Sequence, residues 1–152
     1  MKKPNRGLRF YIDYHKLNAL TRKDPYLIPR INELLTYIST IKVFTKLDIC
    51  QAFYQIRIDP NLEEYITFYI CYGSYKYKVL LFGLYNRPAT YQRYINNILI
   101  DYIDDFVIAY LDDILIYSKD PLTYIEYIKK VLTRLYKARL YTNIKKSEFY
   151  IT

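Results

Sequence analysis

Apolar positions along the chain change period several times, and each change predicts a different element. From Ile41 to Leu47 an apolar, β-branched run predicts a strand. Phe106–Tyr110 and Ile114–Tyr117 predict two more, joined as a hairpin whose tip carries Asp112-Asp113. Tyr65–Cys71 and Tyr75–Leu81, separated by Tyr72-Gly73-Ser74, read as a second hairpin. Helical spacing occurs at Ile31, Leu34, Leu35 and Ile38, and again at Tyr91, Ile95, Ile98, Leu99 and Tyr102 after the Asn86-Arg87-Pro88 start. A longer helix is predicted from Pro121, with Ile125, Ile128, Leu132 and Leu135 inward and Lys129, Lys130, Arg134 and Lys137 outward. Leu8–Asp13 and Leu140–Ile144 read as further strands. This order predicts an α+β layer: an antiparallel sheet with helices packed on one face and the other face free for a ligand.

Composition narrows the partner. The 152 residues suit at most one domain, and 52% hydrophobic content excludes a disordered tail. Lys and Arg number 23 against 15 Asp and Glu, a net charge of +8 that favours a polyanionic partner. The 21 Tyr and 7 Phe are compatible with base stacking, although most sit at core spacing. Cys50 and Cys71 form no Cys-x-x-Cys pair and His15 is the only histidine, which argues against a zinc site or a Cys/His nucleophile and fits a reduced, intracellular setting. No apolar run approaches the ~20 residues of a membrane span, and the Met-Lys-Lys start lacks the apolar stretch of a signal peptide, so no membrane partner is expected.

The candidate chemistry lies in the acids. Asp-Asp in a turn is ordinary by itself, because aspartate tolerates turn dihedrals. Asp48, however, ends a separate apolar strand, and acids from neighbouring strands converge where those strands lie side by side. Three converging carboxylates suit Mg²⁺, which takes oxygen ligands and retains waters for substrate phosphates to replace. Two such ions about 3.5–4 Å apart activate an attacking hydroxyl and stabilise the leaving oxygen of an in-line phosphoryl transfer.

Five blocks, Leu8–Thr21, Phe44–Asp48, Tyr54–Ile58, Phe82–Gln92 and Tyr110–Ser118, together resemble the successive motifs of the reverse transcriptase of Ty3/Gypsy-type long-terminal-repeat retrotransposons. The resemblance implies a polymerase palm with partial fingers: about 1–40 fingers and about 41–152 palm, some fingers elements interleaved. It implies an RNA-directed DNA polymerase that uses Mg²⁺ or Mn²⁺, deoxynucleoside triphosphates and a primed RNA or DNA template. Asp48, Asp112 and Asp113 match the metal-site aspartates, with the Ile49 carbonyl a further ligand. Arg9 and Lys3 match residues on the incoming triphosphate, where fixed cations stabilise charge as pyrophosphate leaves. Phe53 matches the aromatic gate against a ribose 2′-hydroxyl, with plain core packing as its alternative. Gly83 and Gln92 match positions flanking the template and nucleotide pocket, Gln92 being equally readable as a helix-surface amide.

The family pattern also implies a thumb, a connection, an RNase H and an integrase beyond this stretch, so the chain reads as a palm-centred piece of a polyprotein, located in a cytoplasmic virus-like particle or the nucleus. Departures from the pattern have a direction. Cys50 stands for arginine, Tyr54, Tyr124 and Tyr127 for histidine, Leu81 for proline and Arg139 for glycine, each one transition away in a codon. They suggest a copy decaying by mutation. Arg87, where a small residue is usual, is expected either to add a nucleic-acid phosphate contact or to obstruct the template. The alternative function is a non-catalytic remnant that keeps the fold. An unrelated two-metal enzyme would explain the acids but not the Arg9 and Phe82–Gln92 blocks.

Overall fold

The structure is a computed structural model that describes residues 11–26 and 41–151. Lys3, Arg9 and the helix expected over Ile31–Ile38 lie outside the described residues. The chain divides into two compact units, Met1–Asp24 with Phe53–Arg87, and Pro25–Ala52 with Pro88–Thr152.

The second unit is built on the strands β1 (Val43–Asp48), β4 (Val107–Tyr110), β5 (Asp113–Ser118) and β6 (Glu148–Ile151). They form an antiparallel four-stranded sheet of order β4-β5-β1-β6. Val43, Thr45 and Leu47 on β1 and Ile114, Ile116 and Ser118 on β5 are buried, so the period-2 pattern sends these six to one face. The neighbouring positions, Lys46 and Asp48 on β1 and Asp113 on β5, share the opposite face. Helix α3 (Pro121–Lys137) covers the buried face. Asp120 caps it by accepting the Leu122 N–H, and Pro121 occupies the first turn without losing a backbone bond. The Tyr124 hydroxyl meets Thr45 Oγ1 and accepts the Tyr150 N–H at 2.8 Å, tying α3 to β1 and β6.

The inward face of α3 is Tyr124, Val131 and Leu135, whereas Ile125 is 56% exposed. Leu135 is buried and Lys129, Lys130 and Lys137 are exposed as expected, and Ile128 and Leu132 are half-buried; only Ile125 departs, its inward place taken by Tyr124, whose hydroxyl has buried partners. The helix ends with Arg139 at φ 57°, and the Leu140 N–H reaches the Leu135 carbonyl at 2.9 Å, the bond of a left-handed helix stop. The strand expected over Leu140–Ile144 reduces to one bridge, Ile49 to Thr142. The Asn143 carbonyl instead accepts from the Lys146 and Ser147 amides, turning the chain so that pairing resumes at β6.

The first unit holds α1 (His15–Leu20) and the hairpin β2 (Thr67–Ile70) with β3 (Gly73–Lys76). The hairpin is shorter than expected. Tyr65 and Ile66 belong to a preceding 3-10 turn, Pro60–Ile66, capped by Asp59. No strand forms over Tyr11–Asp13, since Asp13 accepts the His15 N–H and turns the chain into α1. Tyr14, Ile66 and Leu81 form this unit's core. Helix α2 (Arg87–Ile98) starts here and continues into the second unit, where Tyr91, Gln92 and Ile95 are fully buried. Among the described residues no helix is long and apolar enough to cross a membrane.

Candidate active site

Asp48 is the last residue of β1 and pairs in register with Asp113, the first of β5. Paired residues share a sheet face, so the two carboxylates are neighbours across the strands. Asp112 is brought to the same place by backbone: the Ile49 N–H donates to the Asp112 carbonyl at 2.9 Å. The turn itself is Leu111-Asp112, with Leu111 at φ 49°. A non-glycine residue in that region costs about 1–2 kcal/mol, so something must hold it there.

Gln92 supplies the hold. Fully buried on α2, it accepts the Leu111 N–H on Oε1 at 2.9 Å and donates through Nε2 to the Ala109 carbonyl at 2.8 Å. Nε2 also donates to Asn96 Oδ1 at 2.9 Å, and Asn96 Nδ2 donates to the Tyr26 hydroxyl at 2.8 Å. Read from sequence as flanking the nucleotide pocket or as a surface amide, Gln92 commits its amide to the acidic turn. A neutral buried amide leaves no sequence signal that separates it from an exposed one. Next to it, burial holds the Tyr91 hydroxyl well above the usual tyrosine range, and the Asp112 and Asp48 carboxylates add to the shift. Tyr91 therefore stays protonated beside both acids.

Two lysines balance the like charges. Lys46, two residues before Asp48 on the same face, places Nζ 3.1 Å from Asp113, and Lys146 lies 3.6 Å from Asp48. Strand alternation made Lys46 foreseeable; nothing in the sequence pointed to Lys146, which arrives through the turn before β6. The carboxylate oxygens are the donors a hard divalent cation takes, and their pairing with ammonium groups shows that the site draws positive charge. Among the described residues, however, no three Asp, Glu, His or Cys side chains form a preassembled metal cage.

In the first unit, Gly83 has φ 98°, and a Cβ there would meet the Ile12 carbonyl oxygen at 3.2 Å. Its own carbonyl accepts from Asn18 Nδ2 at 2.6 Å. Phe53 is buried in the turn Ala52–Gln55. The Arg87 guanidinium lies between two rings, 3.4 Å from the Phe53 centroid and 3.6 Å from that of Phe82.

The model of the family described as Reverse transcriptase (RNA-dependent DNA polymerase) matches residues 1–152. The chain belongs to that family. The Retrovirus-related Pol polyprotein from transposon opus of Drosophila melanogaster is 38% identical over 149 residues, 97% of this chain and 15% of its own length. The Transposon Tf2-3 polyprotein of Schizosaccharomyces pombe is 36% identical over 143 residues, 94% of this chain and 11% of its own. These relatives agree with the Ty3/Gypsy-type resemblance, and the chain spans only a small part of their length. A crystal structure of prototype foamy virus protease-reverse transcriptase superposes with a TM-score of 0.82 at 26% identity, over 98% of this chain and 20% of that one. The foamy viral enzyme in complex with double-stranded DNA gives a TM-score of 0.88 over 98% of this chain and 26% of that one; at 21% identity it speaks for the fold alone.

Proposed function

We propose that the chain is the palm, with part of the fingers, of an RNA-directed DNA polymerase that extends a primer 3′-hydroxyl by two-metal phosphoryl transfer. The observation that supports this reading is the register of Asp48 with Asp113, with the Asp112 backbone carbonyl accepting the Ile49 N–H beside them, which puts the backbones of three acidic residues at adjoining strand ends. In this reading Asp48, Asp112 and Asp113 hold Mg²⁺ or Mn²⁺ with the Ile49 carbonyl, and Lys46 and Lys146 release their carboxylates to the ions. Bound metal supplies activation of the attacking hydroxyl and stabilisation of the leaving pyrophosphate oxygen. Gln92 keeps the backbone of the Leu111-Asp112 turn in one conformation, which limits the reorganisation needed for the carboxylates to meet the ions. Arg9 and Lys3 neutralise the triphosphate, Gly83 lets backbone approach the nucleotide, and Phe53 excludes a ribose 2′-hydroxyl. The partners are a primed RNA or DNA template, deoxynucleoside triphosphates and the remaining polyprotein domains, including thumb, RNase H and integrase.

Primer extension with the chain joined to those domains tests the reading. Asp112→Asn is expected to abolish incorporation with Mg²⁺ and with Mn²⁺, and synthesis at the parental rate would move the chemistry elsewhere. A second reading is a decayed copy that keeps the fold without catalysis. It draws support from Arg139, a bulky residue at a left-handed helix stop where the family has glycine. A parental chain inactive with both ions, yet folded, would favour it.

A further inference from the structure

A second basic surface lies away from the acids. Along the outer flank of α3 runs a groove of about 500 Å³ lined by Tyr102, Lys129, Lys130, Thr133, Arg134 and Lys137. Lys137 also lines a second groove of about 460 Å³ with Tyr136, Arg139 and Tyr141, so the two grooves neighbour each other at Lys137 and together make up a basic track. Five cations line it. Asp101, beside the first groove, pairs with Arg134, and Glu126 is the one acid within α3. The inner side of α3 packs through Tyr124 onto Thr45, on the buried face of the sheet, whereas Asp48 and Asp113 occupy the opposite face. The acids and this flank therefore lie on opposite sides of the same sheet.

The cations are not loosely hung. Lys130 rests 5.7 Å from the Tyr127 centroid and 6.0 Å from that of Phe106, and Arg134 lies 5.2 Å from that of Tyr102. Beyond them Tyr136 is 82% exposed, which leaves its ring accessible at the end of the track. Cations placed for phosphates and an accessible aromatic ring beside them are the two elements of single-strand recognition, in which the backbone follows the charge and bases stack on the ring. A duplex offers no free base face to such a ring.

We propose that the outer flank of α3 is a second nucleic-acid site that binds a single strand with little sequence preference. It is independent of the polymerase reading, because it needs neither the aspartates nor a metal.

The test is fluorescence anisotropy of a labelled 20-nucleotide oligothymidylate with the whole chain, without divalent ions, from 50 to 200 mM KCl. Replacing Lys129, Lys130 and Lys137 together by Gln is expected to weaken binding about tenfold or more. The same change is expected to flatten the slope of log K against log salt by roughly 2, at about 0.7 for each phosphate no longer neutralised. Tyr136→Ala is expected to cost at least about fivefold while leaving that slope unchanged. These substitutions fall on side chains at the surface of the track, and far-UV circular dichroism verifies the fold. An unchanged affinity and slope in the triple variant would overturn the proposal. So would absence of oligonucleotide binding to the parent, which would point to an acidic protein partner, or a loss of duplex affinity in Tyr136→Ala equal to the loss for the single strand, which would remove the stacking argument.

Discussion

Gln92→Leu removes the amide and nearly preserves its volume, so its effect isolates the hydrogen bonds that hold the acidic turn. Three bonds of 2.8–2.9 Å disappear, to Leu111, Ala109 and Asn96. Asn96 keeps the Tyr26 hydroxyl. The Leu111 N–H and the Ala109 carbonyl lose this partner, and an unsatisfied buried group costs about 1–3 kcal/mol. Leu111 is half-buried, so water partly replaces its bond, and the expected destabilisation is about 2–4 kcal/mol. Against a typical domain stability of about 5–15 kcal/mol that is a large share. Urea unfolding followed by circular dichroism reads it as a lower midpoint at constant slope. Amide exchange at Leu111 is expected to accelerate in the same variant. Gln92→Glu adds a sign: a buried carboxyl here has its pKa raised, so stability is intact below the ordinary glutamate pKa and falls as pH rises through the raised value. The protonated acid restores an acceptor and a donor, and partial recovery toward acid pH is expected. A Gln92→Leu variant within about 0.5 kcal/mol of the parent, with unchanged Leu111 exchange, would refute the view that this amide holds the turn.

Arg139→Gly is expected to stabilise the chain by about 1 kcal/mol, because φ 57° suits glycine and strains arginine; a lower thermal midpoint would contradict it. Gly83→Ala is expected to destabilise by about 1–2 kcal/mol through its φ of 98° and the approach to Ile12, measured by urea unfolding. Phe53→Ala in an active polymerase is expected to raise ribonucleotide relative to deoxyribonucleotide incorporation, while an unchanged ratio with general loss of activity would leave Phe53 as packing. Arg87→Ala removes the cation between the Phe53 and Phe82 rings, with an expected cost of about 0.5–2 kcal/mol in the same unfolding assay.

What the sequence determined by itself was periodic or punctuated. The apolar, β-branched runs before Asp48 and after Asp113 specified two strands, while which alternate positions are buried followed from the packing of α3 on one face of the sheet. Pro88 and Pro121 marked helix starts for the same local reason, a fixed φ suited to the first turn. The five motif blocks carried the family, and it was the resemblance that singled out the three aspartates as candidates. Tertiary structure decided the rest. That Tyr124 rather than Ile125 fills the first inward position of α3 depended on a hydroxyl meeting Thr45, seventy-nine residues away in sequence. The final strand moved from Leu140–Ile144 to β6 because a local turn took the Asn143 carbonyl, a competition that apolar content does not register. Gln92 and Lys146 became parts of the acidic site through long-range placement alone: an amide and an ammonium have no period, and their partners are fixed only when separate strands and helices are packed together.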